Sequence, residues 1–328
     1  MKKVKYTIAL CALLVPGMAM AVNFTWVNWQ ADQNWADGGN WNQLGAVPTA
    51  ADDTHFNQGA GVAGAVVSTP GATAFGLVMD NVSSLSIATG GTLTLSGQGN
   101  IANSAASVGN AISVDGGTFN SQAIALGIAG EASLTVNSGT YNQAGAWLIA
   151  GYGAGATGTL NVNGGTMNGT LLLLGNGGTG NGTVTGGAIS LSSQLQIAVG
   201  AGSAGHLVMD GGTLTGVGMN FGNGGTAVVD LNGGQLINNG GTAINGNATI
   251  NVGAGEWIFT ASSVADVNWM IDNSGATWNF AGANGNVRSV TDDGLGNVTV
   301  TAIPEPATMG LMALFGGALL RFRRMFRL

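Results

Sequence analysis

The sequence predicts an all-β chain: a right-handed parallel β-helix or β-solenoid of short three-strand coils, followed by a C-terminal transmembrane helix. Three observations carry this expectation. A glycine-turn motif recurs seven times, with starts 26, 22, 26, 22, 25 and 22 residues apart. Short runs of alternating apolar and polar residues stand before and after most copies, the pattern of strands with one buried face. The 328 residues include 59 glycines yet remain 45% hydrophobic, so the chain keeps core-forming side chains that disordered glycine-rich chains lack.

The N-terminus reads as a secretory signal over residues 1–21. Lys2, Lys3 and Lys5 form a basic segment, Thr7 to Val15 an apolar one, and Ala19-Met20-Ala21 a small-x-small cleavage site. The Sec machinery and signal peptidase are therefore expected partners. Cys11 is the single cysteine and lies inside the apolar segment. Leu10 precedes it, where lipidation would need a small residue. The mature chain is expected to have no disulfide, thiolate metal site or cysteine nucleophile.

Residues 22–85 form an N-terminal cap with the first strands. Trp26, Trp29, Trp35 and Trp41 place half of the eight tryptophans within sixteen residues, followed by Val47-Pro48 and Ala51-Asp52-Asp53-Thr54-His55-Phe56. One reading is an aromatic platform for sugar rings. The other, favoured here, is a plug over the open end of the solenoid, whose first strand edge must be blocked.

Residues 86–255 carry the repeats. The motif stands at Gly90-Gly91-Thr92-Leu93, Gly116-Gly117-Thr118-Phe119, Ser138-Gly139-Thr140-Tyr141, Gly164-Gly165-Thr166-Met167, Gly186-Gly187-Ala188-Ile189, Gly211-Gly212-Thr213-Leu214 and Gly233-Gly234-Gln235-Leu236. Runs such as Leu134-Thr135-Val136 and Leu160-Asn161-Val162 precede it, and third runs such as Leu171 to Leu174 and Leu195 to Val199 close the coil. Leu, Val, Ile and Met should stack inward, Thr, Ser and Asn should form outward ladders, and glycine should take the positive-φ turns. At about 4.8 Å per coil the rod should be roughly 40–50 Å long. An antiparallel sandwich also has regular short strands, but not a period of two dozen residues.

Residues 256–302 are expected to cap the far end through Trp257, Trp269, Trp278, Phe259 and Phe280. Asp292-Asp293-Gly294-Leu295-Gly296-Asn297 reads as a hairpin turn into a last strand at Val298 to Thr301. In residues 303–328 an apolar run from Ala307 to Leu320 is followed by Arg321, Arg323, Arg324 and Arg327. Fourteen residues are short for a spanning helix, which needs about 17–25. Ile303, Phe322 and snorkelling arginines extend the run. The arginines would stay cytoplasmic, leaving the chain before Pro304 outside.

The order Pro304-Glu305-Pro306, apolar stretch and Arg321, Arg323 and Arg324 resembles the PEP-CTERM sorting signal of exported bacterial proteins. The resemblance covers about the last 26 residues. It implies recognition by an exosortase, a membrane transpeptidase-like enzyme, with cleavage near Pro304-Glu305-Pro306 and release to the surface in organisms that make exopolysaccharide. The repeats resemble those of autotransporter passenger domains, although no β-barrel translocator follows. The tryptophan-asparagine, Pro48 and Asp52-Asp53 arrangement resembles the start of other exported β-repeat surface proteins.

Chemistry is scarce. Between residues 22 and 302 stand one basic residue, Arg288, and fourteen acids, a net charge of −13. This excludes binding of nucleic acid through positive charge. Polysaccharide lyases on β-helices use Arg or Lys as base, and hydrolases need two carboxylates facing one cleft. Asp115 and Asp210 occupy the slot that Asn137, Asn163 and Asn232 fill in other coils, so they read as turn residues. Asp210 and Asp230 are twenty residues apart, close enough in sequence to approach across neighbouring coils. His55 and His206 lack metal spacing, Asp52-Asp53 and Asp292-Asp293 would hold at most an adventitious ion, and no phosphate loop or serine elbow is present. The reading is thus an exported non-enzymatic surface or extracellular-matrix protein, without catalytic residues, metal or cofactor. It is held transiently in the inner membrane, sorted by exosortase and associated with exopolysaccharide or biofilm. The alternatives are a carbohydrate-active β-helix enzyme and a sugar-binding module.

Overall fold

The computed structural model describes residues 21–57, 62–281 and 287–303. It is a β-solenoid of about 9 turns with one short α-helix, Val264–Asn273. After each circuit the chain returns in the same direction, one strand spacing further along, so the sheets that build the coils are parallel. Antiparallel pairing among the described residues is confined to the C-terminal hairpin and an isolated Trp26–Trp41 bridge. The sandwich alternative is thereby set aside.

Three columns of strands form the walls. The first sheet begins at Ala65–Val67 and Ser84–Ala88, passes through Thr157–Val162 and Thr179–Val184, and ends at Thr277–Phe280. The second begins at Ala72–Ala74 and runs through Thr92–Leu95 and Thr166–Gly169 to Glu256–Thr260. The third starts at Asn23–Thr25 and Asp53–Asn57 and continues through Ala123–Leu126, Leu148–Ala150 and Leu172–Leu174 to Thr242–Ile244. Long strands such as Glu131–Gln143 bend through the glycine corner and serve the first two sheets in turn.

Alternation decides what lies inside. Val114, Val136, Val162 and Val184 stand in register and are buried, and Met209, Leu231 and Val252 continue the column. Burying each such side chain contributes about 1.5–3 kcal/mol. Tyr141 is fully buried beside Phe119, with ring centroids 5.3 Å apart, and its hydroxyl meets Ser121 Oγ at 3.0 Å. Burial pushes its phenol well above the ordinary range despite that bond.

The glycine corners stack as tightly as the strands. Gly187 has a φ of +71°, and a Cβ there would lie 2.4 Å from the carbonyl oxygen of Gly165 in the preceding coil. The same relation joins Gly212 to Gly187 at 2.6 Å. Glycine is therefore required twice over, by the backbone angle and by the neighbouring turn.

Each end has a sheet edge covered by a capping segment. At the N-terminus residues 33–35 pair with the first-sheet edge: Val66 N–H donates to the Gln33 carbonyl at 2.7 Å and Trp35 N–H to the Val66 carbonyl at 3.0 Å. At the other end the last strand, Asn297–Ala302, lies antiparallel on Glu256–Thr260 and forms a hairpin with Arg288–Asp292. It covers an edge that would otherwise accept another coil. The hairpin matches the turn read from Asp292-Asp293-Gly294, whereas the helix was not foreseen. Ser263 caps it, its Oγ accepting from Asp266 N–H at 3.1 Å. Arg288 grips Asp272 near its end at 2.6 and 3.0 Å. No helix among the described residues is long and apolar enough to cross a membrane, and the apolar run from Ala307 lies outside them.

Two substitutions separate the two demands on glycine. Gly155 also has a positive φ, +77°, but open space around its absent Cβ. Gly155→Ala should cost about 1–2 kcal/mol from backbone strain alone. Gly187→Ala should cost about 1–3 kcal/mol more, because a neighbouring turn must shift. Denaturant titration of the two variants would show equal losses if the turns did not stack.

Candidate functional site

The sorting residues Pro304, Glu305, Pro306, Arg321, Arg323 and Arg324, and Ala19 of the signal cleavage site, lie outside the described residues. Ala21 is exposed, two residues before the first strand.

The N-terminal tryptophans are packed into the plug. Trp41 stands edge-on to Trp26 and Trp35, at 5.1 and 4.8 Å, with Phe56 stacked near both partners. Trp26, Trp35 and Trp41 are at most 2% exposed. Their indoles also tie the loop together: Trp26 Nε1 donates to the Ala63 carbonyl at 3.0 Å and Trp41 Nε1 to the Trp35 carbonyl at 2.9 Å. Only Trp29, 59% exposed, is left of the four. A platform made from these indoles is excluded by their burial and crossed planes. At the far end Trp257, Phe259 and Phe280 are buried, while Trp269 projects from the helix.

The acids of the repeats are rungs of polar ladders. Asp115 Oδ1 accepts from Asn137 Nδ2 at 2.8 Å, Asn137 Oδ1 from Asn163 Nδ2 at 2.8 Å, and Asn163 Oδ1 from Thr185 Oγ1 at 3.2 Å. Asp210 likewise accepts from Asn232 at 2.9 Å. A second ladder runs Thr94, Asn120, Asn142, Asn168 at 2.9–3.1 Å. Burial would raise the Asp115 carboxyl, but donors from Asn137, Ser113 and Ser86 outweigh it and hold it below the usual carboxylate range. Asp52 is buried and its oxygens accept from Val22 N–H, Thr49 N–H and Thr49 Oγ1. These bonds again overcome burial and lower it. Asp292 and Asp293 likewise accept from backbone N–H groups of their own turn.

Asp210 and Asp230 are not brought into register. Asp210 pairs with Gly233, and Asp230 with Val208. Asp230 instead meets His206, Nε2 to Oδ2 at 2.7 Å, on the outer face of the first sheet. Its other oxygen accepts from Asn251, which accepts in turn from Asn279 at 2.7 Å. The sequence reading missed this pair because its partners are twenty-four residues apart and meet diagonally between adjacent coils. Among the described residues no cluster of three His, Cys, Asp or Glu is arranged to hold a metal ion.

The outer face of the third sheet breaks the polar pattern. Where the other outward columns of the same coils carry mostly Thr, Ser and Asn, this one carries Ala125, Ile149 and Leu173 in register, between Asn100 and Gln196. Ile149 and Leu173 are only 5% and 6% exposed although they point away from the core. Beside them Trp147 and Tyr152 approach to 6.3 Å at 32°, meeting across the strand Leu148–Ala150. Further along, Gly218 and Gly241 leave a trough of about 510 Å³ bordered by Ser193, Gln194, Asn220 and Thr242. The sequence signal was present in the all-apolar runs Ala123–Leu126, Leu148–Ala150 and Leu172–Leu174, which abandon alternation.

No protein-family model matches the chain, and neither a curated protein nor a solved structure matches it.

Two measurements check the roles assigned to the cap. Trp35→Ala should cost about 3–5 kcal/mol as a buried aromatic truncation, against no more than about 0.5 kcal/mol for Trp29→Ala at the surface; equal effects in thermal melts would contradict the packing. Asp52 has a folded-state pKa below its unfolded value, so its contribution is complete above the unfolded pKa of about 3.9 and is lost as pH falls through the folded value. Asp52→Asn should therefore be less stable than the parent at neutral pH, and the gap should close below about pH 4. Denaturation curves across the acid range would show a constant gap if the carboxylate were unimportant.

Proposed function

We propose that the chain is an exported, non-enzymatic surface or extracellular-matrix protein, a solenoid spacer sorted by exosortase and associated with exopolysaccharide or biofilm. The observation that carries this reading is the use of the acids. Asp115 and Asp210 serve as ladder rungs and Asp52 and Asp293 as loop ties, so each has a structural task. A hydrolase would need two carboxylates free to face one substrate bond.

In this account the coils wind right-handed, the hand that parallel crossovers adopt. Sec export is followed by signal cleavage after Ala21. Residues 303–328 then hold the chain in the inner membrane, with Arg321, Arg323 and Arg324 on the cytoplasmic side. Exosortase cuts near Pro304-Glu305-Pro306, and the rod passes to the surface or matrix. The sugar-binding alternative keeps one specific support, the charge-free aromatic strip on the third sheet between Gln98 and Ala243. The enzyme alternative has none.

Mass spectrometry of the protein from its own host, with and without Pro304, Glu305 and Pro306 replaced by alanine, tests the sorting route. The parent chain should end near Pro304 and leave the membrane fraction, and the variant should keep Leu328 and stay there. If both end at Leu328 in the inner membrane, the sorting reading is wrong.

A further inference from the structure

We infer that the outer face of the third sheet is a binding site for an uncharged polysaccharide laid along the solenoid axis, with Trp147 and Tyr152 as its aromatic contact and the Gly218–Gly241 trough as a second subsite. The inference deepens the surface reading above and rests on it for the polysaccharide that the face would meet.

The register lines up the site. Ala123, Trp147, Leu171, Gln194, Gly218 and Gly241 follow one another in a single outward column, one per coil, as the neighbouring pairings fix it. At about 4.8 Å per coil, Gly218 lies roughly 14 Å along the axis from Trp147. The parallel column beside it continues from Val78 through Asn100 and Gln196 to Asn220 and Ala243. The face is therefore a straight strip several sugar units long, wider than any one side chain.

Its chemistry differs from the rest of the molecule. Residues 22–302 carry fourteen acids, yet from Gln98 to Ala243 neither column contains an acidic or basic side chain. A charged ligand would find no partner there, and a cationic one would be drawn instead to the acids elsewhere. What the strip does offer is an indole, a phenol ring 43% exposed, the partly exposed Leu171 and several side-chain amides. A pyranose has an apolar C–H face and hydroxyls round its rim. Rings and aliphatics match the face, and Gln194, Gln196 and Asn220 match the rim.

Nor does the fold require this composition. Ile149 and Leu173 face outward, where the first and second sheets of the same coils place Thr, Ser or Asn at most positions. Ile149 and Leu173 are themselves covered, and the apolar groups that the strip exposes are Trp147, Leu171 and Tyr152; exposed apolar side chains grouped in this way mark interaction sites. The trough has an equally local cause. A Cβ at Gly241 would meet nothing within 4 Å, and its backbone angle is ordinary, so the glycine is not needed by the turn. Its missing side chain leaves room for a ligand.

The test uses the full-length chain purified in mild detergent and run by affinity electrophoresis. Gels contain neutral glucans, a galactomannan or a neutral galactan, with acidic alginate as comparison. At least one neutral polymer should retard the protein, and alginate should not. Trp147→Ala should raise the apparent dissociation constant about tenfold, the worth of one aromatic contact. Because Trp147 is itself half-buried, a second variant guards the result: Gly241→Glu adds bulk and charge to the trough, where a Cβ meets nothing within 4 Å. It should also lose retardation while melting like the parent, and Trp269→Ala should bind normally. The inference is overturned if no neutral polymer retards the parent, or if binding survives both Trp147→Ala and Gly241→Glu. It is likewise overturned if sedimentation shows a dimer that Trp147→Ala dissociates, since the occupant is then a second copy of the chain. These outcomes are read on purified protein, so they stand apart from failure of the sorting route.

Discussion

Stacking turns one strand spacing apart leaves about 4.8 Å between equivalent atoms of successive coils, and at the glycine corner even a methyl group does not fit. Gly187 and Gly212 sit against the carbonyl oxygens of the turns before them, at positive φ. Once the corners close this tightly, register is fixed for everything attached to them. Inward valines meet valines, and outward asparagines meet asparagines at hydrogen-bond distance. The long amide ladders are consequences of that register. Each rung leaves an amide free to bond the next, so the polar surface satisfies itself without charge.

This division of labour gives several of the acids a structural task. Asp115 and Asp210 are held as acceptors at the end of an asparagine donor, and Asp52 ties the N-terminal loop. The single basic residue between 22 and 302, Arg288, is used to fasten the C-terminal helix to the closing hairpin. With these charges engaged in architecture, the charge-free strip of the third face from Gln98 to Ala243 stands out as the surface least explained by stability.

Much of the architecture was legible because periodicity and turn chemistry are local. The Gly-Gly-Thr spacing gave the coil length, and Asp-Asp-Gly gave the hairpin before Asn297–Ala302. The choice between tryptophan platform and plug was open in the sequence, since the same four indoles suit both; only tertiary contacts place Trp26, Trp35 and Trp41 inside. The helix Val264–Asn273 was missed because its apolar face is narrow, chiefly Val267 and Ile271, with Trp269 outside. His206 and Asp230 could not be paired by eye, as coil lengths vary from 20 residues between Ala65 and Leu85 to 28 between Thr249 and Thr277, and diagonal neighbours shift accordingly. The third-sheet patch was visible as unbroken apolar runs, but such runs also describe a strand buried on both sides.

The register of the coils underlies the ladders, the buried columns and the straight binding strip alike, so it is the property to measure. In a chain with Cys11 replaced by serine, Thr159→Cys and Asn181→Cys occupy register partners on adjacent strands. They should form a disulfide on mild oxidation, whereas Thr135→Cys with Asn181→Cys, two coils apart, should not. Ready bridging of the distant pair, or none in the adjacent pair, would contradict the stacked solenoid.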